Sequence, residues 1–416
     1  MNILFVVPYT PNLIRTRPYN LIRALSQRGH AITLFTLYTN EQEKADLAQL
    51  GQELKHVVAL PLSRWRSLWN SLGQLPGAEP LQSAYCWQPA LAQQLTDLVA
   101  YAQNGRFSFD IIHVEHLRGV RYGLALRQAL GTAVPLVWDS VDCISHLFRQ
   151  ASQQSSSLFG RVVTRLELPR TQAYEQQMAA QFDHLLLTSP ADREALLNLL
   201  PADHATDHIS VLPNGVDLDY FRPAAGSKRA PATIVISGKM SYHANITMVR
   251  HFVGQIMPHV WAQRPEVQLQ IVGKDPDRQI QELASHSVIT VTGTVPDIRP
   301  YLQQATVAVA PLTYGAGIQN KVLEAMACAT PVVTTPTVAA ALTAVANRDF
   351  LIAQEPAGFA QRLLGLLDNP AQQRQLGQAG RRYVESHHNW QAIAAQLEAI
   401  YQQTISHRYT NPLLTA

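Results

Sequence analysis

The densest concentration of chemistry in this chain is the run Gly315-Ala316-Gly317-Ile318-Gln319-Asn320-Lys321, with Glu324 three residues further on. Two glycines one residue apart let successive backbone N–H groups face a single ligand, and a helix beginning behind them adds the positive end of its dipole. Lys321 adds a full charge, and the set as a whole suits a diphosphate. Glu324 lies one helical turn beyond Lys321 on nearly the same face, placed to accept hydrogen bonds from a hydroxylated group such as a ribose. The plainer reading is a strand-to-helix loop with a Lys–Glu surface pair. A second cluster, Gly238-Lys239-Met240-Ser241-Tyr242, follows the apolar run Thr233 to Ser237 and joins close backbone approach to a charge. In the first half, Arg15 and Arg17 stand in a loop that suits anionic groups, or else snorkel from a surface helix. The fingerprint G-x-G-x-x-G is absent there, which argues against a nicotinamide or flavin dehydrogenase.

Ligands of open parallel sheets bind beyond the carboxyl ends of the strands, so these residues act together only if strands deliver them. Short β-branched runs alternate with amphipathic stretches along the whole chain, the pattern of βαβ units. Seven candidate strands lie in the first half: Ile3 to Val7, Ile32 to Leu37, His56 to Leu60, Ile111 to Val114, Leu136 to Asp139, Leu185 to Thr188 and Ile209 to Leu212. Six follow: Thr233 to Ser237, Leu269 to Val272, Ile289 to Thr292, Thr306 to Ala310, Val332 to Thr334 and Phe350 to Ile352. A Pro-, Gly- and charge-rich stretch from Tyr220 to Pro231 reads as a linker. The expected fold is therefore α/β, with domains over 1–225 and 226–385 and a final helix and tail over 386–416.

With 416 residues, 47% of them hydrophobic and 15% charged, the chain suits two large cores. The 33 basic residues against 30 acidic ones imply no nucleic-acid partner. Cys86, Cys143 and Cys328 are odd in number and far apart, which suggests neither disulfides nor zinc and fits a reducing compartment. Without a signal-peptide pattern, or the run of roughly 18 apolar residues that spans a membrane, a cytoplasmic location is expected.

The segment Leu323-Glu324-Ala325-Met326-Ala327-Cys328-Ala329-Thr330-Pro331-Val332-Val333 resembles the signature of the large retaining glycosyltransferase family that includes bacterial glycogen synthases, sucrose synthases and mannosyltransferases. The opening strand with its Pro-rich loop, Leu212-Pro213-Asn214-Gly215-Val216-Asp217, and Val235-Ile236-Ser237-Gly238-Lys239 resemble it at matching places. The resemblance implies the GT-B architecture: two facing Rossmann-like domains with parallel sheets, the acceptor held mostly by the N-terminal one, the nucleotide sugar mostly by the C-terminal one, and a last helix crossing back to the first. It gives Lys239 the place of the first phosphate-binding cation, Gly315 to Asn320 that of the phosphate-contacting backbone, and Glu324 that of the ribose-binding glutamate. Val295 and Lys274 fall where backbone groups meet the base. In the first domain a histidine touches the donor sugar; Glu115 aligns with it, and its neighbour His116 is the favoured occupant. Asp139 is either an edge of the acceptor site, together with Arg15 and Arg17, or a helix cap.

Two departures stand out. The family's first glutamate, eight residues before Glu324, is Ala316 here, and its second cation, five residues after Lys239, is Ala244. Lys321 is the expected replacement for that cation. The resemblance further implies retaining transfer by front-face attack, in which cations and amides stabilise the departing diphosphate. No cofactor is expected beyond the nucleoside-diphosphate sugar as co-substrate, and no metal, because Asp275-Pro276-Asp277 spells only the weak pattern D-x-D. The Gly-Ala-Gly and Asn-Lys pattern is similar to an exopolysaccharide-making subgroup, so a saccharide or lipid-linked acceptor is expected. A sugar-nucleotide epimerase of similar plan and a non-catalytic sugar-nucleotide-binding subunit are the rival readings. Trp65, Leu68, Trp69 and Leu72 share one helical face beside Arg64 and Arg66. That face packs on the acceptor domain, lines its cleft, or makes a peripheral contact with the inner face of the membrane.

Overall fold

The computed structural model describes residues 1–102, 108–155, 157–224 and 229–410, the side chains of 408–410 excepted. The expected domain boundary at 225/226 lies outside the described residues. Each of the thirteen apolar runs forms a strand, with ends displaced by at most two residues. In the first sheet these are β1 (Asn2–Val7), β2 (Ala31–Tyr38), β3 (His56–Pro61), β4 (Ile111–Glu115), β5 (Leu136–Val141), β6 (His184–Leu187) and β7 (Ile209–Val211). All pair in parallel in the order β3-β2-β1-β4-β5-β6-β7, with Ile3 of β1 opposite both Ile32 and Ile111. Ile3 to Val7 are wholly buried because helices cover both faces of the sheet, which is why the strand reads as one uninterrupted apolar run. Leu4 and Val6 enter the core on one face, and Ile3, Phe5 and Val7 the core on the other.

The second sheet comprises β8 (Thr233–Ser237), β9 (Gln268–Val272), β10 (Ile289–Gly293), β11 (Val307–Ala310), β12 (Val332–Thr334) and β13 (Leu351–Ile352). It is also all parallel, in the order β10-β9-β8-β11-β12-β13. The strand order reverses between β8 and β11, so the loops leaving these two neighbours part to opposite sides and open a crevice at their carboxyl ends. Those are the loops that carry Gly238-Lys239 and Gly315 to Lys321.

The chain divides into two compact units: Met1–Phe148, Arg165–Pro213 and the residues from Trp390 on form one, and Arg149–Thr164 with Asn214–Asn389 the other. The last helix, Trp390–Thr410, belongs to the first unit and lies against the helix Thr16–Gln27. Its Ile393, Ala394, Leu397 and Tyr401 recur at helical spacing and are fully buried in a core shared with Leu21, Ile22 and Leu25. Arg28 and Glu398 close the contact at its edge, 2.6 Å apart. Among the described residues no helix is long and apolar enough to cross a membrane. Leu397→Ala would leave a cavity in this core, and an unfolding titration is expected to lose about 2–5 kcal/mol; a loss below about 1 kcal/mol would mean that the helix is not held by this packing.

Candidate active site

In the second unit the site is built on a backbone contact that only glycine allows. Gly273, after β9, has φ +147°, and a Cβ there would lie 1.7 Å from the carbonyl oxygen of Gly238, after β8. The two strand ends therefore lie directly against each other, joined by hydrogen bonds from Gly238 N to Val272 O (3.0 Å) and from Met240 N to Lys274 O (2.9 Å). Gly238 has φ +145°, a conformation that other residues rarely adopt, and a Cβ there would press to 3.0 Å from Asn245 Nδ2 while meeting Lys321 Cε at an ordinary 3.5 Å. The Lys321 ammonium donates to Asn245 Oδ1 at 2.5 Å, and Asn245 Nδ2 donates to Lys239 O at 2.9 Å. Asn245, in the helix His243–His251, thus ties the lysine of one loop to the backbone of the other. It follows Ala244, the buried residue standing where the expected second cation is missing.

Burial lowers the pKa of Lys321 to about 8, with Glu324 opposing the shift, and burial raises that of Glu324 to about 7, with Lys321 opposing. Lys239 is exposed at the rim. The loop between β11 and the helix Asn320–Ala327 is pinned from below. Tyr314 is buried, its hydroxyl 2.7 Å from His243 Nδ1 with the rings stacked. Gly315 N donates to Gln150 Oε1 at 2.9 Å, and Gln319 Nε2 donates to Ala316 O at 3.1 Å. Gly317 takes the left-handed conformation at φ +62°, and the side chain of Ile318 turns inward. Asn320, opening the helix, accepts from Asn214 Nδ2 at 3.3 Å, and His388 Nδ1 meets Asn214 O at 2.6 Å. At the other end of the helix, Arg381 donates to Ala327 O and Phe221 O, both at 2.7 Å, setting a cation at the negative end of the helix dipole.

Val295 and Lys274 lie at the ends of β10 and β9, partly exposed, with Lys274 Nζ 4.0 Å from Asp275. The structure thus gathers Gly238, Lys239, Lys321, Asn320 and Glu324 around one crevice and puts Val295 two strands away from β8. Asp277 of the D-x-D accepts from Gln279 N, capping the turn Arg278–Gln281.

In the first unit the polar strand ends turn inward. Arg17, 5% exposed, donates from Nε to Asp139 Oδ2 at 2.8 Å and from Nη1 to Pro213 O at 3.2 Å. Of the two readings of Arg17, this pairing excludes the one that has it snorkel from a surface helix, and Asp139 accepts with its other oxygen from Val141 N within its own strand rather than capping the next helix. His113, unnoticed in the sequence because it lies inside an apolar strand, sits 3.5 Å from Glu115 and 3.6 Å from Asp139. Its Nδ1 meets the Tyr401 hydroxyl of the last helix at 2.8 Å. His113, Glu115 and Asp139 offer ligand atoms all within 4.8 Å of one another, yet the guanidinium of Arg17 already lies against Asp139. Glu115 is buried, its carboxyl raised in pKa by burial and by Asp139, and it accepts from the Tyr9 hydroxyl at 3.3 Å. Arg15 pairs with Glu43 at 2.9 Å and lies over the Tyr9 ring.

Of the two neighbours, only His116 reaches the surface of the strand end. It has φ +63°, and its Nδ1 accepts from Arg118 N at 3.3 Å. Burial and Arg118 lower its pKa to about 3, so near neutral pH the ring is uncharged and presents Nε2–H as a donor.

Residues 14–215 match the family described as "Glycosyl transferase 4-like domain", and residues 231–369 that described as "Glycosyl transferases group 1". The chain belongs to these glycosyltransferases. It is 30% identical over 244 residues to the MMP alpha-(1->4)-mannosyltransferase of Mycolicibacterium hassiacum, a match covering 56% of this chain and 57% of that one. The match thus spans little more than half of that relative's length. A D-inositol 3-phosphate glycosyltransferase of Arthrobacter is 26% identical over 322 residues, covering 72% of this chain and 73% of the other. Among solved structures, the sucrose-phosphate synthase of Thermosynechococcus elongatus superposes over 98% of this chain and 100% of its own, at TM-score 0.69 and 20% identity. HepE of Anabaena, solved with UDP and glucose, superposes over 97% of this chain and 100% of its own, at TM-score 0.68 and 14% identity. At such identities the likeness is one of fold, and the fold of this glycosyltransferase family member is GT-B.

Replacing Arg17 by Leu would leave Asp139 buried without its cation. Urea unfolding is expected to register a loss of about 3–5 kcal/mol, largely recovered in the double variant Arg17→Leu, Asp139→Leu. Equal losses in the single and double variants would show that the pair itself is not what matters.

Proposed function

We propose that this glycosyltransferase moves a sugar from a nucleoside-diphosphate sugar to an acceptor hydroxyl with retention of configuration, in the assembly of a bacterial exopolysaccharide or glycolipid on the cytoplasmic face of the membrane. The observation that carries the reading is the crevice between β8 and β11, where Lys321 lies beneath Gly238, Lys239 stands at the rim and the amides of the 315–320 loop open a helix. Breaking the bond between anomeric carbon and phosphate oxygen leaves a diphosphate with growing negative charge, and fixed cations and amides stabilise that charge most where water is least. In this reading the lysines meet the charge without a metal ion, and the sugar nucleotide is a co-substrate rather than a resident cofactor.

Glu324 receives the ribose hydroxyls, and Val295 and Lys274 offer backbone groups to the base. His116 donates Nε2–H to a hydroxyl of the donor sugar. With Ala316 in place of a carboxylate, the sugar has one hydrogen-bond acceptor fewer, so its remaining hydroxyls must be read by other groups. The names of the relatives, an alpha-(1->4)-mannosyltransferase and a D-inositol 3-phosphate glycosyltransferase, support a hydroxylated acceptor, which we take to be a saccharide or lipid-linked.

Two measurements test this. Free nucleoside diphosphate should be released only when an acceptor is added; sugar interconversion without acceptor would mark an epimerase, and donor binding without either reaction a binding subunit. Donor affinity should also peak between about pH 7 and about pH 8. Lys321 binds phosphate as the ammonium, which is lost as pH rises through about 8, and Glu324 accepts from ribose as the carboxylate, which is lost as pH falls through about 7. An affinity flat from about pH 6 to about pH 9 would contradict these roles.

A further inference from the structure

The helix Arg64–Gly73 is built inside out. Its inward side is polar: Ser67 is 3% exposed, and Asn70 Nδ2 donates to Trp87 O at 2.8 Å. Its outward side carries Trp65 and Trp69, 73% and 71% exposed, with Leu68, Leu72 and then Leu75 also exposed. A surface helix of a globular protein does the reverse, so this apolar stripe is made for a partner other than water. Of the arrangements the sequence allows, packing on the domain is excluded by these exposures.

The charges beside it say which partner. Arg64 and Arg66 are exposed on the same helix, and from Leu54 to Ala78 there is no Asp or Glu. The loop after the helix is bonded to a second helix, Leu158–Ala179, by Arg170 Nη2 to Leu75 O at 2.8 Å and by Leu81 N to Glu167 Oε2 at 2.7 Å. Next to those anchors Arg165 and Leu166 are exposed, and from Cys143 to Leu166 there is again no acid. In a chain whose charges otherwise nearly cancel, two acid-free stretches that pair exposed apolar side chains with arginines match a surface that is apolar inside and anionic outside. Tryptophan suits that boundary, because its ring is apolar and its indole N–H seeks a polar partner.

We propose that the stripe of Trp65, Leu68, Trp69, Leu72 and Leu75 docks on an anionic lipid bilayer, its indoles and leucines entering the headgroup boundary and Arg64, Arg66 and Arg165 meeting lipid phosphates. This deepens the proposed function by giving a lipid-linked acceptor a route to the enzyme. It rests on that reading for its purpose but not for its test.

The purified full chain is to be centrifuged with vesicles of phosphatidylcholine alone and of phosphatidylcholine mixed with phosphatidylglycerol, at low and high salt. Binding to the mixed vesicles, weakened by salt, is expected, and Trp65→Ser with Trp69→Ser should lower the partition constant at least about tenfold while donor binding and melting temperature stay unchanged. Vesicles carrying brominated acyl chains should quench the tryptophan emission of the unaltered protein, a readout that needs no variant. Absence of binding at low salt would overturn the proposal, as would undiminished binding of the double variant. So would concentration-dependent self-association without lipid that the same substitutions abolish, since the stripe would then be a contact between copies. A chain that binds vesicles but transfers no sugar would keep this inference and refute the function instead.

Discussion

A lysine ammonium partly withdrawn from water and without a counter-charge is poised for an anionic ligand, and Lys321 is such a group. Among the described residues it forms no ion pair; Glu324 acts on it through space, and its hydrogen bond runs to the neutral amide of Asn245. Desolvation at this position disfavours the charge, and in the proposed function a bound diphosphate would restore what desolvation removes. Much of the second unit serves to keep the lysine there. Gly238 spares Asn245 a tight contact, Gly273 lets the neighbouring strand end close in, and Asn245 fixes the tip of the lysine. Asn214 and Arg381 hold the two ends of the helix on which it stands.

The first unit treats its polar strand ends in the opposite way. Arg17, His113, Glu115, Asp139 and Tyr401 close on one another inside the protein, and His116 stands at the edge with a neutral ring. Such a network contributes little net stability, because desolvating both charges of the Arg17–Asp139 pair offsets most of their attraction. Its effect is geometric. It fixes the end of β4, and so the left-handed turn that delivers His116, and through Tyr401 it makes the last helix part of that support.

The strands were legible because central parallel strands are buried on both faces and read as plain apolar runs. The crevice was legible because ligands gather at strand ends, which directs attention to Gly238 and Gly315. Less could be read where a residue's role depends on which way it points. His113 looks like a core residue within Ile111 to Val114, Arg17 looks like a surface cation, and Asn245 carries no signal except its place beside Ala244. The period of Trp65, Leu68, Trp69 and Leu72 gave the face of the helix, but periodicity cannot tell inside from outside. The partner of the last helix came only through resemblance, since its own residues state that it has an apolar side and not what covers that side.

The claim on which the rest depends is that Lys321 is the second phosphate-binding cation. Calorimetric titration of UDP and of GDP into the chain and into Lys321→Ala, near pH 7.5 where the pKa values leave both groups charged, measures it directly. The account predicts that whichever nucleotide binds loses at least about 1.5 kcal/mol, roughly tenfold in affinity, in the variant. Equal affinity for both proteins would contradict it.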